Sequence, residues 1–118
     1  LLTAAGKAVE VDESLQDAIT ATSGSGPAYF FAFVEAMVEG AIALGLTRED
    51  ATTLTIQTIV GSAALLEGSG DSPTTLREKV TSPNGTTAAA LASFSNDHLS
   101  EIVARAMKAA HDRSQELA

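Results

Sequence analysis

The segment from Ala28 to Leu46 constrains the fold most, because it is apolar on nearly every side and its only charged residues are Glu35 and Glu39. Its length approaches that of a membrane span. Two unpaired carboxylates in the middle of a bilayer would be costly, so a membrane helix is disfavoured. We predict instead a buried helix from Pro27 to about Leu44, which ends at Gly45.

Small residues recur every four positions along this helix, at Ala32, Ala36 and Gly40. A glycine inside a helix costs about 1 kcal/mol relative to alanine, and a close contact with another helix would offset that cost. A monomer of 118 residues could hardly cover this helix and the long apolar helix that follows it. We therefore expect both helices to be buried against a second chain.

Start and stop signals divide the rest of the chain into further helices, with no convincing run of strands. Ser25 is the natural cap of the apolar helix, and Thr47 with Asp50 forms a capping-box pattern before the next one. Ser72-Pro73 and Asn96-Asp97 predict two later helix starts. The N-terminal region is less regular: Gly6 predicts a helix end, and the alternating residues Ala8–Val11 predict either a strand stub or an extended linker.

The last helix has the clearest period in the chain. Its apolar residues lie on one face, at Leu99, Ile102, Val103, Ala106, Met107 and Ala110. On its polar face, Glu101 with Arg105 and Lys108 with Asp112 have the i, i+4 spacing of ion pairs. The sequence thus predicts a single all-α domain over residues 1–118, a bundle of five or six helices.

Composition restricts the classes of partner. The net charge of -8 disfavours nucleic acid and anionic membranes, and a 4% aromatic content without Trp offers no platform for base stacking. The absence of Cys excludes a disulfide framework, a thiolate zinc site and a thiol nucleophile. It also fits a reducing compartment, and no targeting segment is visible, so we expect a cytoplasmic protein.

No metal site is predicted. Glu35 and Glu39 share a helix face, but no His lies near them in sequence, and bundle metal sites usually combine Glu with His. His98 and His111 are thirteen residues apart, so they do not form an i, i+4 ligand pair. We expect the two carboxylates to border the core or to make contacts between helices.

The loop Thr81–Thr87 is the best candidate for a ligand site. Its proline, asparagine and glycine lead from one helix to the N-terminus of the next, where backbone N–H groups lack partners and carry partial positive charge. Gly85 permits close approach, and Thr86 and Thr87 add two hydroxyl groups. This pattern predicts a site for a small anion such as a carboxylate. The alternative is that a threonine simply caps the helix.

Three blocks, LQDAIT at 15–20, SGSGPAY at 23–29 and VTSPNGTT at 80–87, resemble the C-terminal domain of the pyrroline-5-carboxylate reductases. The similarity extends over nearly the whole chain from Val9. It implies two helical domains that interlock as a homodimer, with decamers in some members. It also implies a separate N-terminal Rossmann domain for NADPH (or NADH), absent from residues 1–118, and reduction of 1-pyrroline-5-carboxylate to L-proline in proline biosynthesis. This chain alone is then expected to be inactive.

The resemblance also implies roles for residues of the signature loop. Thr86 would bind the substrate carboxylate through its N–H group, and Thr87 through its N–H group and its hydroxyl. Ser82 and Gly85 would shape the same pocket. Thr87 is the candidate catalytic residue, because its hydroxyl would lie near the ring nitrogen of the substrate.

The resemblance also implies functional roles for three residues outside the signature loop. Glu13 matches a position near the substrate in relatives, and Thr20 would line the same space. Lys79 aligns with a cofactor-contacting position that is often Asn, so the contact does not transfer directly. Asn84 stands where many relatives have Gly, a small departure because Asn tolerates left-handed backbone angles.

Two other interpretations are compatible with the residues. The chain could be the helical domain of a related hydroxyacid dehydrogenase, although its basic side chains are few. It could also be a non-catalytic helical oligomerisation module, which the apolar Pro27–Leu44 helix supports equally well. A pure assembly module would have no need of an open helix start at Thr86.

Overall fold

The computed structural model describes residues 9–118, and its regular elements there are all helical, which confirms the predicted all-α class. A 3-10 turn, Glu13–Leu15, leads into α1, Gln16–Ile19, which continues as a π-helical turn, Thr20–Gly24. Five longer helices follow: α2 Gly26–Ala43, α3 Arg48–Gly68, α4 Pro73–Lys79, α5 Thr86–Asn96 and α6 Leu99–Leu117. Val9–Val11 forms no strand, and Ala8 and the helix end predicted at Gly6 lie outside the described residues.

The starts of α3 and α4 follow their predicted caps. Thr47 Oγ1 accepts a hydrogen bond from the Asp50 N–H at 3.1 Å, and Ser72 Oγ accepts one from the Thr75 N–H at 3.1 Å. Each such bond satisfies a backbone donor that the helix itself leaves unpaired. Gly45 follows α2 with φ of 111°, in the left-handed region that favours glycine.

Two other predicted helix starts are wrong in detail. Ser25 occupies the N-cap position of α2, but its side chain makes no capping hydrogen bond because a π-helical turn runs directly into the helix. The Asn96-Asp97 signal does not open a helix; α5 extends to Asn96, and α6 begins at Leu99. His98 makes this tight connection by taking a left-handed conformation, with φ of 61°.

The polar face of α6 contains one of the two predicted ion pairs. Lys108 Nζ lies 2.6 Å from Asp112 Oδ2, whereas Glu101 Oε1 lies 3.8 Å from His98 Nδ1 rather than pairing with Arg105. The hydrogen bond from Lys108 lowers the pKa of Asp112, and a second one from His111 acts in the same direction. The ionised carboxylate therefore adds stability above its unfolded-state pKa, and this is lost as pH falls through the folded-state pKa.

The helices form two separate packing units. α2 packs along α3, whereas α6 packs against α1 and the π-helical turn, where the Ser114 hydroxyl donates to Asp17 Oδ1 at 2.6 Å. The backbones of α4 and α5 approach only their sequence neighbours, α3 and α6. Phe33 and Phe94, with ring centroids 6.1 Å apart, connect α2 to α5 through their side chains. Within one chain the two units are thus connected by this aromatic contact and by the π-helical turn, which also approaches α2.

The apolar surface of the chain is largely uncovered. Within residues 9–118 the buried hydrophobic residues are Ala21, Val38 and Ala51, while Phe30 and Phe31 of the helix predicted to be buried are 61% and 68% exposed. The accessible surface is 9276 Å², against roughly 6000 Å² for a compact monomer of this mass. The radius of gyration is 16.9 Å, against about 13–14 Å for a compact domain of this length. One copy does not bury its own core.

No helix in the described part of the chain is long and apolar enough to cross a membrane.

Replacing Thr47 by Ala should lower the free energy of unfolding by about 1 kcal/mol, because the Asp50 N–H loses its acceptor at the start of α3. Urea denaturation at a fixed protein concentration measures the change. Thr53→Ala in the same helix is the matched control, since Thr53 is exposed and caps nothing. Equal stability of the two variants would contradict the role assigned to the cap.

Candidate functional site

The loop between α4 and α5 reverses the chain in a tight turn. The Gly85 N–H donates to the Ser82 carbonyl oxygen at 3.1 Å, which closes the turn, and Asn84 between them is left-handed with φ of 60°. The Thr81 hydroxyl donates to the Arg77 carbonyl oxygen at 2.6 Å and so ties the loop to the end of α4. The turn is therefore held by its own backbone and by Thr81.

The start of α5 differs from the starts of α3 and α4, because no side chain caps it. Gly85 occupies the N-cap position. The backbone N–H groups of Thr86, Thr87 and Ala88 have no hydrogen-bond acceptor among residues 9–118. The hydroxyls of Thr86 and Thr87 are likewise not used in capping. The alternative in which a threonine side chain caps the helix is therefore wrong. Three backbone N–H donors at the positive end of the helix dipole are available to an anion.

Glycine is needed at position 85 because a side chain would not fit there, and not because of its backbone angles. Its φ of -87° is open to any residue, but an added Cβ would lie 2.6 Å from Ser82 Oγ and 3.2 Å from the Ser82 carbonyl oxygen. The hydroxyl could rotate away, whereas the carbonyl belongs to the turn itself. Ser82 and Gly85 therefore fix the shape of the turn together.

Glu13 and Thr20 lie at the other end of the chain. Glu13 is in the exposed 3-10 turn and Thr20 begins the π-helical turn. In that turn the hydroxyls of Thr22 and Ser23 donate to carbonyl oxygens four residues back, at 2.8 and 3.2 Å, whereas the Thr20 hydroxyl makes no such bond. Neither element approaches α4 or α5 within the described part of the chain. One copy does not bring these two residues to the signature loop.

Lys79 is engaged within its own segment. Its Nζ lies 2.6 Å from Asp71 Oδ2, and its position in the last turn of α4 is favourable for a positive charge. The side chain remains 62% exposed, so the ion pair is open to solvent. The structure thus gives Lys79 a local partner in Asp71.

Two large depressions lie on the surface formed by the helices. An apolar groove of about 670 Å³ runs between α2 and α3, with Phe30, Phe31, Met37 and Leu66 among its lining residues. A second depression of about 680 Å³ lies at the α5–α6 corner and has a mixed lining that includes Arg77. No group of three or more His, Asp or Glu residues within 9–118 is arranged to hold a metal ion.

Sequence reasoning assigned no role to Tyr29, the last residue of the SGSGPAY block. Its hydroxyl donates to the Ala21 carbonyl oxygen at 2.7 Å, across the π-helical turn. The presence of the only tyrosine of the chain in this block is the one signal that could have indicated such a role.

Comparison with known proteins places this geometry in a family. A family model described as pyrroline-5-carboxylate reductase dimerisation matches residues 13–117. A pyrroline-5-carboxylate reductase of Pseudomonas aeruginosa is 50% identical over 119 residues, which cover 100% of this chain and 44% of the relative. The Synechocystis enzyme of the same name is 42% identical over 117 residues, 99% of this chain and 44% of the relative. The chain thus spans less than half the length of these relatives.

Solved structures agree with the sequence comparisons. A pyrroline-5-carboxylate reductase of Coxiella burnetii matches with a TM-score of 0.89 and 42% identity, over 92% of this chain and 40% of the other. The Plasmodium falciparum pyrroline carboxylate reductase, solved with NADP bound, matches with a TM-score of 0.87 and 34% identity, over 92% of this chain and 44% of the other. The all-helical fold, the uncapped signature loop and these matches establish that the chain belongs to the pyrroline-5-carboxylate reductase dimerisation family.

Proposed function

We propose that this chain is the helical, dimer-forming and substrate-binding part of a pyrroline-5-carboxylate reductase, which reduces 1-pyrroline-5-carboxylate to L-proline in the last step of proline biosynthesis. The observation that carries the proposal is the uncapped start of α5, with its unpaired N–H groups at Thr86 and Thr87. Relatives up to 50% identical bear the name of this enzyme. We also propose a cytoplasmic location.

The substrate carboxylate would bind at this helix start. The N–H groups of Thr86 and Thr87 would donate to its oxygens, and the Thr87 hydroxyl would add a third donor. Charge-assisted hydrogen bonds of this kind are stronger than neutral ones, and the helix dipole adds to the attraction. The carboxylate would then fix the ring so that the Thr87 hydroxyl lies near its nitrogen, while Ser82 and Gly85 keep the turn open.

The remaining substrate contacts would come from a second copy of the chain. Glu13 and Thr20 are remote from the signature loop within one copy. If two copies interlock, each loop can meet the N-terminal turns of its partner. The site would thus be completed by assembly, which would explain why the proposed substrate-binding residues occupy two distant parts of one chain.

NADPH, or NADH, would be held mainly by a nucleotide-binding domain beyond residues 1–118. The relatives are more than twice as long as the stretch that this chain matches, which leaves room for such a domain. When bound, the cofactor supplies the hydride for the imine carbon, and the helical domain aligns the acceptor. Lys79 would contact the cofactor through an N–H donor that its ion pair with Asp71 does not use.

The exposed apolar surface supports a homodimer as the unit that these helices build. The groove between α2 and α3 and the exposed faces of both helices would be covered by the second copy. The excess over a compact monomer's surface is roughly 3000 Å² per copy, or about 6000 Å² for two copies, which is enough for even a large obligate dimer interface. Further assembly of dimers into a decamer would use surface outside this groove.

A non-catalytic assembly module is the second candidate, and the same apolar surface favours it. Both candidates predict a dimer, but only the reductase uses the signature loop to bind a substrate. The two candidates are therefore separated by variants of that loop, measured for activity in the full-length protein.

The 118-residue chain should be a dimer in solution, because one copy leaves Phe30 and Phe31 mostly exposed. Light scattering at micromolar concentration measures the mass. Phe31→Glu should favour the monomer by placing a charge in the groove, whereas Thr53→Glu, which does not line the groove, should not. A wild-type monomer would contradict the proposed assembly.

Thr87→Ala should raise the KM for pyrroline-5-carboxylate about ten-fold, or lower kcat similarly, because a donor to the charged substrate is lost. Steady-state kinetics of the full-length protein test this, with light scattering to verify that the dimer is intact. Thr87→Ser keeps the hydroxyl and is the matched control. Unchanged kinetics in the alanine variant would leave the loop without a substrate role and favour the assembly module.

Gly85→Ala should impair substrate binding more than folding, because the new methyl group would meet the Ser82 carbonyl oxygen at 3.2 Å and open the turn. We expect a KM at least ten-fold higher in the full-length protein. Gly68→Ala is the control, since nothing lies within 4 Å of a Cβ added at that position. Similar KM values for the two variants would argue against a tight turn at the site.

A further inference from the structure

The π-helical turn Thr20–Gly24 disturbs the hydrogen-bond pattern of the backbone. The Ser25 N–H donates to the Thr20 carbonyl oxygen at 2.8 Å, five residues back, instead of to Ala21 four residues back. Ala21 is 3% exposed, so water has little access to replace the missing donor. A buried carbonyl without a partner is strongly disfavoured.

Tyr29 supplies a donor at this point. Its hydroxyl reaches back from the first turn of α2 and donates to the Ala21 carbonyl oxygen at 2.7 Å. The phenol is partly buried, and its bond connects the π-helical turn to a long, regular helix. Tyr29 therefore stabilises the wide turn against rewinding into an ordinary α-helical turn. Such rewinding would shift every residue that precedes the turn along the helix axis.

Thr20 is tied to this turn through its carbonyl oxygen, which accepts the hydrogen bond from the Ser25 N–H. It begins the turn, is exposed, and has a hydroxyl that, unlike those of Thr22 and Ser23, makes no hydrogen bond among residues 9–118. A fixed turn thus presents a fixed, unpaired hydroxyl.

We propose that Tyr29 is a positioning residue for the reductase: its hydroxyl holds the π-helical turn so that the Thr20 hydroxyl faces the cyclic imine acid. This inference rests on the proposed function and on the substrate contact proposed for Thr20. Tyr29 itself does not touch the substrate. Its effect on the reaction passes through the turn and through Thr20.

The test is a double-mutant cycle in the full-length protein with Tyr29→Phe and Thr20→Val. Each single variant should raise the KM for pyrroline-5-carboxylate about five-fold and leave the KM for NADPH unchanged. The double variant should be no worse than Thr20→Val alone, because Tyr29 acts through Thr20. Thr47→Ala, which weakens a helix start elsewhere, should leave both KM values unchanged and controls for loss of stability.

Either of two results would overturn the inference: fully additive effects of Tyr29→Phe and Thr20→Val, or an unchanged substrate KM in Thr20→Val. An unchanged substrate KM in Thr20→Val would overturn the inference even if the Tyr29→Phe variant does not fold. A wild-type protein without reductase activity would overturn the proposed function and the inference together. Additivity in an active enzyme would overturn the inference alone, so the two failures are distinguishable.

Discussion

The hydrophobic effect cannot be satisfied within one copy of this chain, and the arrangement of its helices follows from that constraint. Three small or medium side chains, Ala21, Val38 and Ala51, are the buried hydrophobic residues within 9–118. The aromatic residues of α2 lie open along a groove. Because burial of apolar surface is the main favourable term in folding, the dimer proposed above would make a second copy part of the folded state of this domain.

The same constraint explains the division of the proposed site. The turn at Ser82–Gly85 is closed by its own hydrogen bond and can form in one copy. Glu13 and Thr20 lie at α1 and the π-helical turn, and neither of these elements approaches α4 or α5, the two helices that the turn joins. In the proposed site, binding of substrate and association of two copies would therefore be linked, and a variant that weakens association would also weaken the site.

Local chemistry made some of this structure predictable. Thr47 and Ser72 cap the helices that they were expected to cap, and the predicted Lys108–Asp112 pair forms, because each depends on residues three or four positions apart. The position of the candidate site could be predicted for the same reason, since the loop and the helix start are contiguous in sequence. That no side chain caps α5 could not be predicted, because a threonine beside Gly85 can cap or remain free.

The predicted helix starts that were wrong have a common physical cause. In each case an unusual backbone conformation overrode the local preference of the sequence. Ser25 does not cap α2 because a π-helical turn, invisible to hydrophobic periodicity, runs into that helix. The last helix starts at Leu99 because His98 takes a left-handed conformation. Burial of the apolar helix was predicted against a second chain, and the exposure of Phe30 and Phe31 in one copy is consistent with that expectation.

The open start of α5 has a consequence for the end of a catalytic cycle. Its donors would recognise a carboxylate, and that group is the same in 1-pyrroline-5-carboxylate and in proline. Such a helix start is indifferent to the oxidation state of the ring, so it would retain product as firmly as substrate. Discrimination between the two, and with it the speed of product release, must then come from contacts to the ring nitrogen and to the face of the ring.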